Sequence, residues 1–255
     1  MPSHFWMKSL SAAAGLTMVA GAALAAPPVN TGFETGLGSW TTIGSVVATP
    51  TTTVTTYNSV VWTINAFGSN MAQLNSDGAT VSDIATALGL NYSQLNSLNI
   101  NPNGGSLTNG SAIYQSFAGT AGETVSMFFN YVATDYIPYN DPAYAIVVNE
   151  TTLTAEVISV LASTHGTGLA VGTAGNSGWN QFSYTLPSTA NYKLAFVTTN
   201  DKDTSLNSVL FLDNNAGSCV PNCPSIAVST PEPASLGILG LAAATLLGLR
   251  RRRRT

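Results

Sequence analysis

The chain has 255 residues, of which 45% are hydrophobic and only 8% are charged, with a formal net charge of −4. Six of its eight basic residues lie in the two terminal segments, so only Lys193 and Lys202 remain between them, against 11 acidic residues. This central segment of roughly 200 residues is long enough for one domain with a sizeable core, and its net charge of −9 disfavours nucleic-acid binding through phosphate neutralisation.

The N-terminal segment has the pattern of a secretory signal peptide. Lys8 precedes an apolar run rich in alanine and glycine over residues 10–26, and an Ala-Leu-Ala cleavage site ends at Ala25. This pattern predicts a signal helix over residues 1–25 that is removed during export.

Short apolar and threonine-rich runs, separated by turn residues, predict a β-rich domain after the signal peptide. Phe33 and Trp40 flank the first glycine-rich turn and are expected to anchor the first strands. The connection at residues 150–152 is short enough for a β-hairpin. Residues 99–109 and 166–178 are predicted to be loops. The predicted strands cover residues 46–48, 54–57, 60–66, 71–74, 112–117, 124–132, 143–149, 153–161, 179–186, 192–199 and 209–213.

The segment 80–98 interrupts this alternation with the spacing of helices. Ile84, Leu88, Leu95 and Leu98 repeat at helical intervals, with a break at the Gly-Leu-Asn that begins at residue 89. A Thr-Val-Ser-Asp sequence at the start resembles a capping box with aspartate in place of glutamate. We therefore predict two short helices inserted between strands.

The two cysteines of the chain, Cys219 and Cys223, follow the last predicted strand. An exported protein meets an oxidising compartment, so a small disulfide loop is expected. Three intervening residues exclude a Cys-x-x-Cys redox motif, and two cysteines without a nearby histidine make a poor zinc site.

The C-terminal segment combines three features. Prolines end any preceding element, residues 234–249 carry no charge, and five arginines follow. As a helix the uncharged run would span roughly 24 Å, which is short for a hydrocarbon core of about 30 Å. The arginines would stay on the cytoplasmic side.

This tail resembles the PEP-CTERM sorting signal of Gram-negative bacteria. The resemblance implies processing by an exosortase, transient anchoring of the hydrophobic helix in the inner membrane, and transfer to the cell surface or extracellular matrix. An ordinary C-terminal membrane anchor is the alternative. The residues that match are Pro231, Glu232, Pro233, Arg250, Arg251, Arg252, Arg253 and Arg254.

About ten short strands with turns between them predict an all-β fold, a two-sheet antiparallel β-sandwich with a short helical insert. The expected organisation is a signal peptide at 1–25, the ectodomain at 26–218, a linker with the cysteine pair at 219–230, and the sorting segment at 231–255.

The ectodomain resembles the galactose-binding-like, jelly-roll family of extracellular modules, many of which bind carbohydrates. The matching segments are Gly-Phe-Glu at 32–34 with Trp40, 122–127 and 210–214, whereas the helical insert departs from the family. Residues 135–144 and 200–214 also resemble β-sandwich ectodomains of PEP-CTERM proteins.

The acidic residues of the central segment predict calcium as a cofactor, because Ca²⁺ takes six to eight oxygen ligands. In the resembled family an ion often links the first strand to the last, where Glu34 and Asp213 lie in this chain. The alternative is that the acids are solvated or form turns. A second candidate set consists of Asp135, Asn140, Asp141, Asp201 and Asp203.

Glycan binding would require exposed aromatic rings, and the candidate ligand residues are Tyr136, Tyr139 and Tyr144 in or beside a polar loop. Trp179, which follows a glycine-rich loop, is a further candidate, and the alternative is that Trp40, Trp62 and Trp179 fill the core. No catalytic motif is present, and His165 is expected to be a loop residue. The sequence thus predicts a non-enzymatic structural or binding module, with extracellular polysaccharide as a partner; the alternative is a secreted carbohydrate-active enzyme.

Overall fold

The computed structural model describes residues 27–214 and the backbone of Ser225–Ala227. The predicted signal helix, the cysteine pair and the sorting segment lie outside these residues. Within the described part, no helix is long and apolar enough to cross a membrane.

The chain forms short strands with one pair of helices between the sixth and seventh. In chain order the elements are β1 (Thr41–Ile43), β2 (Val46–Thr49), β3 (Thr52–Thr55), β4 (Val61–Ile64), β5 (Met71–Asn75), β6 (Ala79–Thr80), α1 (Val81–Leu88), α2 (Tyr92–Asn96), β7 (Leu107–Gly119), β8 (Thr124–Val132), β9 (Ala143–Asn149), β10 (Thr154–Ser163), β11 (Leu169–Ala170), β12 (Asn176–Thr185), β13 (Ala190–Asp201), β14 (Val209–Asp213) and β15 (Ser225–Ala227).

These strands form two large sheets and one separate hairpin. The helix-covered sheet has the order β1-β7-β13-β9-β10-β11, with β6 also paired to β7, and the hairpin-covered sheet has the order β15-β12-β8-β14-β5-β2. Strands β3 and β4 pair only with each other. All pairings are antiparallel except β10 with β11 and β12 with β15. The predicted all-β two-sheet sandwich with a helical insert is confirmed.

The main core lies between the two large sheets and is rich in aromatic side chains. Phe129, Phe182 and Phe196 are fully buried there, and Phe33 and Trp40 close one side with ring centroids 5.6 Å apart. The first glycine-rich segment thus anchors the sandwich, as predicted.

The helix-covered sheet is buried on both faces. In β13, Leu194 and Phe196 point into the main core, whereas Ala195 and Val197 pack beneath the helices. Because side chains alternate between the faces of a strand, a strand covered on both sides requires an uninterrupted apolar run. The amphipathic helix α1 supplies the cover on one face.

Both helices begin with caps that the sequence encodes. Thr80 Oγ1 accepts the amide of Asp83 at 3.1 Å, while the Thr80 hydroxyl donates to the Asp83 carboxylate at 2.7 Å. The aspartate therefore binds the capping hydroxyl and not the backbone amide that a glutamate would reach. Helix α2 has a complete capping box between Asn91 and Gln94.

The structure shifts several predicted bounds. Strand β7 begins at Leu107, so the predicted loop 99–109 is shorter, and the predicted loop 166–178 contains β11 and the start of β12. The start of β7 is polar because its side chains bond to neighbouring segments; Ser111 Oγ, for example, donates to the carbonyl of Asp77 at 2.5 Å. Strand β15 lies within the predicted linker.

Candidate functional site

A cleft lined by aromatic rings lies between the β3–β4 hairpin and the outer face of the hairpin-covered sheet. Its volume is about 560 Å³. Trp62 of β4, Trp179 of β12 and Phe67 are half-buried in its walls. We name these three side chains the aromatic cleft. Core burial is confirmed for Trp40 and wrong for Trp62, whereas Trp179 takes the half-exposed position that was its alternative.

The hairpin creates this cleft by covering only part of the sheet. Ile64 of β4 packs with Val132, Val209 and Phe211 on the outer face of the sheet. Trp62 lies on the same side of β4 as Ile64, because the strand alternates between exposed and covered positions. A short two-stranded hairpin is too narrow to cover β12 as well, so the rings meet solvent.

Each ring of the aromatic cleft is held in a defined orientation. The indole Nε1 of Trp62 donates to the carbonyl of Ala174 at 2.9 Å, and that of Trp179 donates to the carbonyl of Asn65 at 3.1 Å. The ring of Phe67 lies 4.5 Å from that of Trp179, between centroids. Fixed rings bind a flat ligand face at a small cost in side-chain entropy.

A polar group lies among these rings. Asn130 of β8 is 4% exposed, and its Oδ1 has no hydrogen-bond partner within the described residues. A buried acceptor without a partner costs about 1–3 kcal/mol. Because Asn130 lines the cleft, a shift of its side chain would let a ligand donor reach this oxygen and recover that energy.

The predicted pair Glu34 and Asp213 lies behind this cleft. Asp213 is fully buried and its Oδ2 accepts the amide of Phe67 at 2.8 Å. Both carboxylate oxygens of Glu34 accept the amide of Ser69, at 3.1 and 2.9 Å. The two carboxylates therefore hold the short segment that places the Phe67 ring in the cleft.

The second acidic set is brought together at one end of the sandwich. Asp135, Asn140, Asp141 and Asp201 are each no more than 1% exposed. The carboxylate of Asp201 accepts the amide groups of three asparagines: the Asn99 side chain at 2.9 Å, the Asn101 side chain at 2.5 Å and the Asn140 backbone at 3.4 Å.

Asp141 is the second centre of this buried cluster. Its Oδ1 accepts the amide of Asp201 at 2.9 Å and its Oδ2 accepts the hydroxyl of Ser208 at 2.9 Å. The fifth predicted member, Asp203, is half-buried, and its carboxylate accepts the amide of Ser205 instead. Asp203 is thus not bonded to the cluster.

Among the described residues, Asp135, Asp141 and Asp201 of the buried cluster form no ion pair. Within residues 27–214 the one ion pair joins Lys193 to Glu150 at 3.5 Å. Burial raises the pKa of Asp135 to about 6, although the amide of Tyr136 donates to its carboxylate. Burial also raises the pKa of Asp141 well above its ordinary value.

Among the described side chains, no group of three or more histidines, cysteines, aspartates and glutamates is arranged to hold a metal ion. Calcium between Glu34 and Asp213 remains a prediction from the sequence. If it binds there, the melting temperature should rise with calcium and fall with chelator, because the ion would bind only the native state.

Two substitutions would show which acidic residues are responsible for a calcium-dependent melting temperature. Asp213→Ala should abolish it, whereas Asp201→Ala should leave it intact. Loss of the response in Asp201→Ala alone would move the ion to the buried cluster, and a melting temperature indifferent to calcium would rule out both positions.

The three tyrosines predicted as glycan ligands differ in how far they are buried. Tyr136 is 37% exposed, and its ring lies 5.3 Å from that of the half-buried Tyr139. Tyr144 is fully buried beneath the helices with its hydroxyl 3.4 Å from the Leu95 carbonyl, so its prediction as a sugar-stacking residue is wrong. The strand that carries Tyr144 is covered on both faces, and its uninterrupted apolar run, Ala-Tyr-Ala-Ile-Val-Val, is the sequence signal of that burial.

His165 lies in a loop, as expected. Its Nε2 is 3.0 Å from the side-chain nitrogen of Asn103, and its pKa is lowered by burial. Its Nδ1 has no hydrogen-bond partner within the described residues.

Comparison with known proteins identifies the tail. The family model of the PEP-CTERM protein-sorting motif matches residues 229–254. This match confirms the predicted sorting signal, and the chain is that of an exported protein. No curated protein matches the chain in sequence.

Several solved structures are similar to this chain at low sequence identity. The K3 cleaved adhesin domain of Lys-gingipain from Porphyromonas gingivalis W83 is 14% identical, with 72% of this chain and 93% of that chain covered and a TM-score of 0.37. TmCBM61, solved with β-1,4-galactotriose, is 15% identical over 72% and 92%, with a TM-score of 0.37. A xylan-binding domain is 14% identical over 72% and 88%, with a TM-score of 0.31.

Proposed function

We propose that this exported chain is a glycan-binding module of the cell surface or extracellular matrix, and that the aromatic cleft is its binding site. The sorting motif supports delivery to that location through exosortase processing, with the inner membrane as a transient anchor. The observation that carries the proposal is the pairing of half-buried tryptophans with an unpartnered asparagine oxygen in one cleft.

The chemistry of the cleft matches that of a sugar. One face of a pyranose ring presents C–H groups that pack on an aromatic ring, while its hydroxyls donate and accept hydrogen bonds. Trp62 and Trp179 supply the aromatic surfaces, and Asn130 Oδ1 supplies an acceptor for a hydroxyl. A mostly apolar cleft with a few placed polar groups is the usual form of a ligand site.

The charge of the domain indicates a neutral glycan. Eleven acidic residues and two lysines give the segment between the terminal signals a net charge of −9. An acidic polysaccharide would be repelled by this surface, and the described part of the chain contains no arginine to pair with its carboxylates or sulfates.

Affinity electrophoresis tests this function. The purified protein is run through gels that contain xylan, mannan, galactan or a β-glucan, and retardation by at least one of them is expected. Trp62→Ala and Trp179→Ala should each weaken the binding at least tenfold, since each removes a stacking surface of the order of 1.4 kcal/mol or more.

Leu153→Ala is the matched control, because Leu153 is a 78% exposed apolar residue at the turn between β9 and β10 of the other sheet. Its retardation should equal that of the unmodified protein. Absence of retardation by all four neutral polysaccharides, or equal retardation of the tryptophan variants and the control, would overturn the proposal.

A further inference from the structure

A row of tyrosine rings, two exposed and one half-buried, continues from the aromatic cleft toward the turn of the β3–β4 hairpin. Tyr57 is 44% exposed, and its ring lies 4.9 Å from that of Tyr136, which in turn lies 5.3 Å from Tyr139. We name these three residues the tyrosine row. They come from two separate loops, and their rings contact each other at the surface.

The tyrosine row and the aromatic cleft are joined through one loop. The carbonyl of Ala174 accepts the indole of Trp62 at 2.9 Å, while the amide of the same Ala174 donates to the carbonyl of Asp135 at 3.1 Å. Asp135 directly precedes Tyr136 in the chain. The peptide groups of a single residue thus connect a wall of the cleft to the row.

The β3–β4 hairpin sets the distance between the aromatic cleft and the tyrosine row. Trp62 pairs with Val54 across the hairpin, and Tyr57 lies three residues beyond Val54, which corresponds to roughly 10 Å at about 3.3 Å per residue. The amide of Tyr57 donates to the carbonyl of Thr134 at 3.0 Å. This bond fixes the hairpin turn against the end of β8, next to the loop of Tyr136.

Hydrogen bonds to buried groups and within the backbone fix the loop that carries Tyr136 and Tyr139. The carboxylate of Asp135 accepts the amide of Tyr136 at 2.7 Å, and the carbonyl of Tyr136 accepts the amide of Tyr139 at 2.9 Å. At its far end the loop is tied down by Asp141, which is 1% exposed. The rings are therefore presented on a supported backbone.

We infer that the tyrosine row is a second set of sugar-stacking positions, so that the protein binds a linear neutral polysaccharide chain along the cleft and the row. This inference rests on the proposed function and specifies its substrate class. A short sugar would fill the cleft alone, whereas a longer chain would also pass over Tyr57 and Tyr136. Extra stacking without an extra binding event adds affinity at little further entropic cost.

Calorimetric titration with sugars of two lengths tests the inference. The probes are the trisaccharides and hexasaccharides of xylose, mannose, galactose and β-1,4-linked glucose. The hexasaccharide of the bound series should bind about tenfold more tightly than its trisaccharide. The double variant Tyr57→Ala with Tyr136→Ala should lose this gain and bind the trisaccharide as before.

The outcomes separate this inference from the function on which it rests. Equal affinity of the unmodified protein for both lengths, or a double variant that retains the gain, would overturn the tyrosine row and leave the cleft in place. Failure of every probe to bind would overturn both. Tyr139→Ala is a second test within the row, and Leu153→Ala should keep the full gain with length.

Discussion

The substitution Asp201→Ala is expected to lower the free energy of unfolding by about 2–4 kcal/mol. The Asp201 carboxylate accepts the Asn99 side chain, the Asn101 side chain and the Asn140 amide. Asn101 and Asn140 are buried, so without the carboxylate the Asn140 amide loses this acceptor and the Asn101 side chain is left with the carbonyl of Pro138. Urea denaturation followed by circular dichroism measures the difference.

Asp203→Ala is the matched control for this substitution. Asp203 lies two residues further along the chain, but it is only half-buried, and its carboxylate accepts a single amide, that of Ser205. We expect its loss to cost about 0.5 kcal/mol, as for most surface substitutions. Similar costs for both variants would show that the asparagine donors find new partners and that the cluster is not a centre of stability.

The free energy of unfolding is expected to rise as the pH is lowered from about 8 to about 5. Burial raises the pKa of Asp135 from 3.8 in the unfolded chain to about 6 in the native state. Between these values the native protein binds a proton that the unfolded chain does not, so acid favours folding. The stabilisation is complete below about pH 4 and is lost as the pH rises through about 6.

The size of this effect is of the order of 2 kcal/mol, from a shift of about two pKa units reduced for partial screening by solvent. Asp141 adds to it in the same direction, because burial raises its pKa as well. Melting temperatures measured across this pH range in buffers of constant ionic strength would show the trend.

Asp135→Asn provides the control for the pH dependence. The asparagine oxygen still accepts the amide of Tyr136, but the side chain no longer titrates, so the slope near pH 6 should become smaller. The exposed Asp83→Asn should keep the original slope. A melting temperature that falls steadily from pH 8 to pH 5 would show that Asp135 stays ionised in the native state.

The pH dependence bears on binding because of where Asp135 lies. Its carboxylate accepts the amide of Tyr136, and its carbonyl accepts the amide of Ala174, whose own carbonyl holds Trp62. Protonation of Asp135 at mildly acidic pH would relieve the cost of a buried charge at the junction of cleft and row. Asp135 therefore affects both the stability of this end of the sandwich and the loops that carry the cleft and the tyrosine row.

Much of the fold was predictable because its signals are local. The alternation in β8 and β12 places every second side chain on one face, and helix α1 has the spacing of an amphipathic helix with a threonine cap. The sorting motif is contiguous, so residues 229–254 could be recognised without any tertiary contact.

The positions of the functional side chains were not predictable in the same way. The local sequence is mostly polar around Trp40 and Trp179 and mostly apolar around Trp62, yet only Trp40 enters the core, at 7% exposure. Tyr136 and Tyr144 lie within one short segment, yet one ring is at the surface and the other lies beneath the helices.

The amino-acid sequence was thus sufficient for the C-terminal sorting signal, the all-β class, the helical insert and the acidic character that disfavours nucleic acids. Only the tertiary structure decided which face of each strand is covered, that the hairpin leaves two tryptophans open, and that Glu34 and Asp213 hold the Phe67 segment. The physical reason is that periodicity within a strand specifies which side chains share a face, whereas the cover on that face comes from residues that are distant in the chain.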